Sequence, residues 1–552
     1  MAGTPELGFR ATVPELLRRD VAQYGDSDFV VGPDSRLTYA EVDHHSRRLA
    51  ASLLAQGVTK GSRVAFRFGN TPEWLVLWLA LARIGAVAMP LSTLYRPAEV
   101  RQVLALADVE VLVVPRRLLG EDQLAFVEAA LPELAGCDGP PHLAAMPMLR
   151  TVLVHDTEGL VHDTDGGATG PAWAWSLDLM APPPPPVWAN ADFLEAVERS
   201  VVPADPMVVI FTSGTTAEPK GVVHTHGAWV RHTANVADHT DEPFGLKVYA
   251  GMPFFWVGGL STIIGAVMQR GDTILCVEKP TLDVVVDLLV REGCDRAMMW
   301  PNLRERVVAR LLDGEWTEEQ LPAFARPVPP EPPELAERQG QSLGMTETLA
   351  AYIVSGPAGE LIPEELRGAH GRQVPYLDYR VVDPDTGDAR PDGEYGEICV
   401  RGYALMVGMV KRERHEYLDA DGWYHTGDRG AVRGGYVFFG GRLKDLIKSS
   451  GANVAPREVE AVLNRHPGVL TSVVVGLPDP DREEIVGAAV VPAFGLTLDA
   501  AELVAECKAN LSPYKVPRRI AVIDDAELPL LGTGKPNVAA LRELITERGA
   551  SF

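Results

Sequence analysis

The chain has 552 residues and a formal charge of −24 at pH 7, a balance that repels phosphate backbones and sets nucleic acid aside as a partner. Hydrophobic residues make up 46% and charged residues 23%, ordinary for a globular protein in water, and the length exceeds what one core supports, so two or more domains are expected. No run approaches roughly eighteen apolar residues, and the N-terminal MAGTPELGFRATVPELLRRD lacks the apolar centre of a secretory signal, so no integral membrane segment is predicted and the cytoplasm is the expected compartment. Cys137, Cys276, Cys294, Cys399 and Cys507 are scattered without metal-ligand spacing and read as reduced thiols.

Helical apolar spacing over 39–58 is followed by a short strand at 63–68. A helix over 74–84, a strand at 86–90, a helix over 97–107 and a strand at 109–114 continue the alternation. Such alternation predicts an α/β architecture with mostly parallel sheets. Residues 155–200 interrupt it with Gly-rich and polar stretches and five consecutive prolines, Pro182 to Pro186, and read as a surface excursion with an extended polyproline spacer.

Residues 212–221 read TSGTTAEPKG after the apolar run 207–211. Thr212, Ser213, Thr215 and Thr216 offer hydroxyl donors, Gly214 and Gly221 let the backbone turn its N–H groups toward an anion, and Lys220 supplies a point charge. The segment is a candidate phosphate cradle, although it is not the pattern G-x-x-x-x-G-K-[ST]. After Gly434 the character changes. A strand at 436–439, the charged GRLKDLIK of 441–448, a helix starting at Pro456, strands at 472–476, 485–491 and 519–523 and a helix over 500–510 predict a small C-terminal domain.

Taken with LTYAE at 37–41, NTPEW at 70–74, QSLGMTET at 341–348, TGD at 426–428 and GTGK at 532–535, these segments resemble the adenylate-forming superfamily of acyl-CoA synthetases, peptide-synthetase adenylation domains and luciferases, and do so over nearly the whole chain. The resemblance implies a large N-terminal α/β domain of mixed sheets and helices, 1–443, that binds ATP and acid. It also implies a small mobile α+β domain, 444–552. The implied chemistry is activation of a small-molecule carboxylic acid with ATP and Mg²⁺ as an acyl-adenylate, then thioester formation with coenzyme A. A homodimer is compatible with it, and with no carrier-protein segment after Phe552 a free-standing ligase is expected.

Adenylation needs the triphosphate held, the carboxylate placed in line with the α-phosphorus, and the developing charge neutralised. Thr346 is suited to hydrogen-bond the α-phosphate and Glu347 to hold Mg²⁺, a hard ligand for a hard cation. Asp428 offers two oxygens to the ribose diol. By resemblance, Leu343 and Gly344 lie against the adenine, Arg442 contacts ribose or phosphate, and Lys535 is the adenylation lysine, bridging carboxylate and α-phosphate. Lys444 matches the hinge about which the small domain rotates. Lys448, Ser450 and Gly451 then belong to the face presented in the thioester step.

Phe255, Trp256, Gly258 and Gly259 are the candidate acid pocket, and Trp256 stands where relatives carry a histidine. With Phe254, Val257 and Leu260 they suggest an apolar or aromatic acid. Three departures stand out: LPAFARPVPPEPPELAERQG at 321–340 lacks the Gly-Gly of relatives, Leu343 replaces an aromatic that would stack on adenine, and Trp256 is bulkier than the usual gate residue. Two other readings stay open, an adenylate-forming ligase with an amine acceptor, such as an ATP-dependent diazotase activating nitrite, and a nucleotide-binding protein without turnover.

Overall fold

Helix Pro72–Arg83 buries every residue but Glu73, which is why PEWLVLWLALAR is apolar on all sides. The helix stands at the centre of the largest core. Trp74 packs on Phe66 and Phe254 with ring centroids 5.4 Å away in each case, and Trp78 meets Trp229 edge-on at 5.3 Å. The computed structural model describes residues 6–156, 170–213, 219–238, 244–314, 316–317, 319–326, 335, 338–356, 360–449, 452–480, 482–493, 495–531 and 536–552. They fall into two compact units. One comprises Met1–Leu361, Val374–Asp378 and Gly402–Tyr417; the other comprises Ile362–Gln373, Tyr379–Arg401 and Leu418–Phe552.

In the first unit, strands Arg63–Phe66, Val87–Pro90, Val111–Pro115, Thr151–His155 and Ala174–Ser176 pair in parallel. Pro206–Ser213 joins this sheet beside Val87–Pro90 in parallel and turns back antiparallel into Pro219–Thr225. A second sheet places Asp28–Val31, Lys247–Ala250, Thr273–Leu275 and Arg296–Met298 in parallel. The alternation expected from sequence is therefore present, with helices at Tyr39–Ala55, Pro72–Arg83 and Pro97–Leu106. Thr38 caps the first of these in a reciprocal box with Glu41.

The reading of 155–200 as a surface excursion is corrected for its described part. Ala174–Ser176 extends the parallel sheet, and Trp173, Leu177 and Leu179 are buried in the cores. Helix Ala191–Ser200 delivers Glu198, whose side chain is 1% exposed, to the equally buried Arg83 at 2.5 Å. Arg83 also meets Asp43 and Ser46. Polar composition concealed this because a buried ion pair is built from residues that composition counts as surface.

The second unit carries an antiparallel set, Gly371–Gln373, Tyr436–Arg442, Tyr424–Arg433 and Gly396–Gly402 in spatial order. It also carries a sheet in which Val469–Asp479 and Glu483–Pro492 form a long hairpin. Helices Pro456–Leu463, Ala500–Asn510 and Val538–Arg548 complete the unit. Among the described residues no helix is long and apolar enough to cross a membrane. Cys276, Cys294, Cys399 and Cys507 are buried free thiols, and Cys137 is half-buried and free.

Candidate functional site

The candidate phosphate cradle is a hairpin. Thr212 pairs with Lys220 and Phe211 with Gly221 across antiparallel strands, while Gly214, Thr215, Thr216 and the side chain of Ser213 lie outside the described residues. The role expected of Gly221 is corrected: it sits in regular strand, and a Cβ there would press on Val410 at 2.9 Å and Val209 at 3.0 Å. Its missing side chain serves close packing within the sheet rather than a turn toward an anion.

The strand Pro219–Thr225 that carries Lys220 also carries His224. The His224 Nε2 lies 2.7 Å from the carbonyl oxygen of Thr346; since a carbonyl only accepts, Nε2 bears the proton and donates. The candidate phosphate loop and the Thr346–Glu347 motif are thereby tied together. Leu343 and Gly344 form a short strand, Leu343–Met345, antiparallel to Ala350–Val354. Between them Thr346–Thr348 makes one tight turn, followed by Leu349 at φ 60° and Ala350 at φ 111°.

Non-glycine residues at such angles cost of order 1–3 kcal/mol and persist only where surroundings over-determine them. Here the Thr348 hydroxyl donates to Ala350 O at 2.9 Å, Met406 N donates to Glu347 O at 2.8 Å, and the buried His232 lies against the Leu349 backbone. Among the described residues none pairs with the Glu347 carboxylate, and its oxygens are of the donor type that Mg²⁺ takes. His224 and His232 went unnoticed in the sequence; the only signal was three histidines, with His226, inside the apolar stretch GVVHTHGAWVRH.

Burial pushes His224 and His226 down to about 4 and His232 to about 3. Their unfolded value is about 6.5, so below it the unfolded chain takes up protons that the folded chain refuses, and stability falls as pH drops from about 6.5 toward about 4. Each contributes a loss of about 2 kcal/mol between pH 8 and pH 5. His224→Gln keeps a donor for Thr346 and removes the titration. Denaturant unfolding at the two pH values should show the difference shrinking by about 2 kcal/mol in this variant; an unchanged difference would mean that His224 titrates normally in the folded protein.

The candidate acid pocket follows strand Lys247–Ala250. Asn70 clamps this segment: its amide donates to Ala250 O at 3.0 Å and Met252 O at 2.9 Å, and its oxygen accepts from Phe254 N at 2.9 Å. This gives the NTPEW segment a physical role. Phe254 and Leu260 are fully buried in the core. Phe255 is buried and meets Trp256 edge-on at 5.4 Å, and half-buried Trp256 meets Trp300 at 6.4 Å.

Gly258–Gly265 is a π-helix, a rare form frequent at functional sites. A Cβ at Gly259 would collide with the Pro253 carbonyl, so the helix can approach the Pro253–Trp256 segment only with glycine there. Of the altered stretch 321–340, residues 327–334 and 336–337 lie outside the described residues; Leu321 and Ala325 pack into a core with Val285 and Leu289.

In the second unit, Asp428 is fully buried and its Oδ1 lies 2.7 Å from Arg442 Nε. Arg442 also donates to Thr426 O at 2.9 Å, which brings together the two residues expected to contact the ribose. Lys444 occupies the tight turn Leu443–Asp445 between strands Tyr436–Arg442 and Ile447–Ser449. Lys448 donates its backbone N–H to Glu484 at 2.9 Å and leaves its ammonium exposed at the rim of a cleft of about 420 Å³ shared with Lys444 and Arg542. Ser450, Gly451 and Lys535 lie outside the described residues.

Glu397, Cys399 and His425 place three metal-type donor atoms within 4.8 Å of one another. Burial pushes the Cys399 thiol up to about 12 and Arg380 lies near it, so the group has a protonated thiol and a neighbouring cation. That donor set does not suit Mg²⁺, which takes oxygen ligands.

Comparison with known proteins yields a consistent picture. The family model described as AMP-binding enzyme matches residues 17–410, and that of the AMP-binding enzyme C-terminal domain matches 458–535. The chain is 32% identical over 543 residues to a sulfoacetate–CoA ligase of Cupriavidus necator, covering 95% of this chain and 96% of that one. It is 30% identical over 537 residues to an indoleacetate–CoA ligase of Aromatoleum aromaticum, covering 94% of each. Among solved structures, ATP-bound MatB from Rhodopseudomonas palustris has the same fold, with a TM-score of 0.71 at 24% identity over 97% of this chain and 99% of that one.

Proposed function

Because the chain belongs to the AMP-binding enzyme family, we propose that it is an AMP-forming acyl-CoA ligase. It joins an acid to the α-phosphate of ATP and passes the acyl group to coenzyme A. The observation that carries the reading is the Thr346–Glu347 turn. It is held in a strained conformation, tied by His224 to the strand of Lys220, and presents a carboxylate with no described partner.

In the first half reaction a carboxylate oxygen of the acid attacks the α-phosphorus and pyrophosphate leaves; in the second the CoA sulfur attacks the acyl carbon and AMP leaves. Glu347 would hold Mg²⁺, which would supply charge neutralisation for the phosphates. Thr346 orients the α-phosphate, Asp428 and Arg442 hold the ribose, and Lys535 stabilises charge between carboxylate and phosphorus. The domain 444–552 turns about Lys444 between the two steps, and Lys448, Ser450 and Gly451 face the acyl-adenylate in the second.

Phe255 and Trp256 support an apolar or aromatic acid, with Gly258 beside them at the start of the π-helix and Gly259 letting that helix close on the Pro253–Trp256 segment. ATP and CoA are intracellular cosubstrates, which supports a cytoplasmic site of action. Isotope exchange between pyrophosphate and ATP, run over aliphatic, aryl and indolic acids, tests the reading. The expected result is exchange that depends on one class of acid, with CoA then required for AMP release. Exchange with none of the acids, or AMP release that nitrite and an aryl amine support and CoA does not, would overturn it.

A further inference from the structure

We propose that Glu397 is a positioning residue for nucleotide binding, acting through the turn that presents Asp428; the inference rests on the ribose role proposed for Asp428. Strands Gly396–Gly402 and Tyr424–Arg433 run antiparallel with Cys399 opposite His425 and Glu397 opposite Arg429. Thr426, Gly427 and Asp428 therefore stand against the single residue Ile398. A bulge of this kind interrupts the ladder and leaves backbone groups that need other partners.

Side chains supply them. Thr426 Oγ1 donates to Ile398 O at 2.6 Å and accepts from Asp428 N at 3.0 Å. Gly427, at φ 71°, sends its N–H to Glu397 Oε1 at 2.9 Å. The other oxygen, Oε2, is 2.7 Å from His425 Nδ1, on the residue just before the bulge. Glu397 is 12% exposed, and both its oxygens are spent on residues of the same short segment. Arg442 grips the segment through Thr426 O and Asp428. The turn that presents Asp428 is thus held by Thr426, Arg442 and Glu397, and Glu397 has no proposed contact to the nucleotide.

Removing the Glu397 carboxylate leaves the N–H of the left-handed Gly427 unpaired, and the bulge gains alternatives in which Asp428 points elsewhere. Calorimetric titration of the full chain with ATP and Mg²⁺ tests this in Glu397→Ala, Glu397→Gln, Asp428→Ala and the Glu397→Ala/Asp428→Ala pair. Glu397→Ala is expected to weaken ATP binding about tenfold, the cost of one unsatisfied buried donor. Glu397→Gln, whose amide oxygen still accepts from Gly427, should stay within about threefold of the wild type. In the Asp428→Ala background Glu397→Ala should add less than about twofold, since its effect passes through the missing carboxylate.

Full, multiplicative effects in the double variant would overturn the inference, as would a Gln variant, folded by its thermal midpoint, that binds as weakly as the Ala variant. If Asp428→Ala alone binds ATP normally, the ribose assignment falls instead, and the inference with it.

Discussion

Lys535→Ala is expected to lower acid-dependent pyrophosphate exchange by about 10²–10³-fold, the usual consequence of deleting one preorganised group that meets charge as it develops. The lysine sits in GTGK at 532–535, near the end of the matched C-terminal family segment. Its proposed work is confined to the bond between carboxylate and α-phosphorus. Thioester formation from a supplied acyl-adenylate should therefore stay within a few-fold of the wild type, because in the proposed alternation that step begins after the lysine has withdrawn. ATP affinity should change little, since an interaction made in the transition state appears in turnover and not in ground-state binding. Equal loss in both half reactions would count against an alternation of the small domain.

Lys444→Pro should separate the half reactions in the same direction by another cause. Lys444 occupies a tight turn between two strands, where backbone angles near those of proline are ordinary. Proline then costs the turn little and instead fixes φ near −65°, which would deny the chain the rotation proposed to bring Lys448 and its neighbours toward the acyl-adenylate. Pyrophosphate exchange is expected to persist while CoA thioester formation falls about 10²-fold, the scale at which misplacement alone disables a reaction. The measurement is both rates on one folded preparation. Parallel decline of the two would make Lys444 an ordinary loop lysine whose replacement disturbs stability.

Local order was legible from the chain itself. Alternating helix and strand in the first 115 residues, the helix Ala500–Asn510 and the hairpin strands of the C-terminal region follow from periodicity within a few residues. The segments proposed to carry phosphate, metal and ribose chemistry could also be singled out there, because each is a short run whose residue types state what they could bind. The family too was evident from the order of those segments, and the family models match residues 17–410 and 458–535.

Tertiary structure decided everything that depends on a partner far away in sequence. His224 and Thr346 are 122 residues apart, Asn70 and Met252 182 apart, and Arg83 and Glu198 115 apart. In each case neither residue is unusual by itself, and hydropathy assigns the charged ones to the surface. Gly221 looked like a turn residue and proved to be space for Val410, a neighbour about 190 positions later. Residues 155–200 read as a surface excursion, and their described part contains a sheet strand and a buried carboxylate. The physical reason is common to all: backbone preference and amphipathic period act over one or two turns, whereas a neutral buried histidine, a bulge satisfied by Glu397 or a paired buried charge exists only once folding has excluded water and brought both members together.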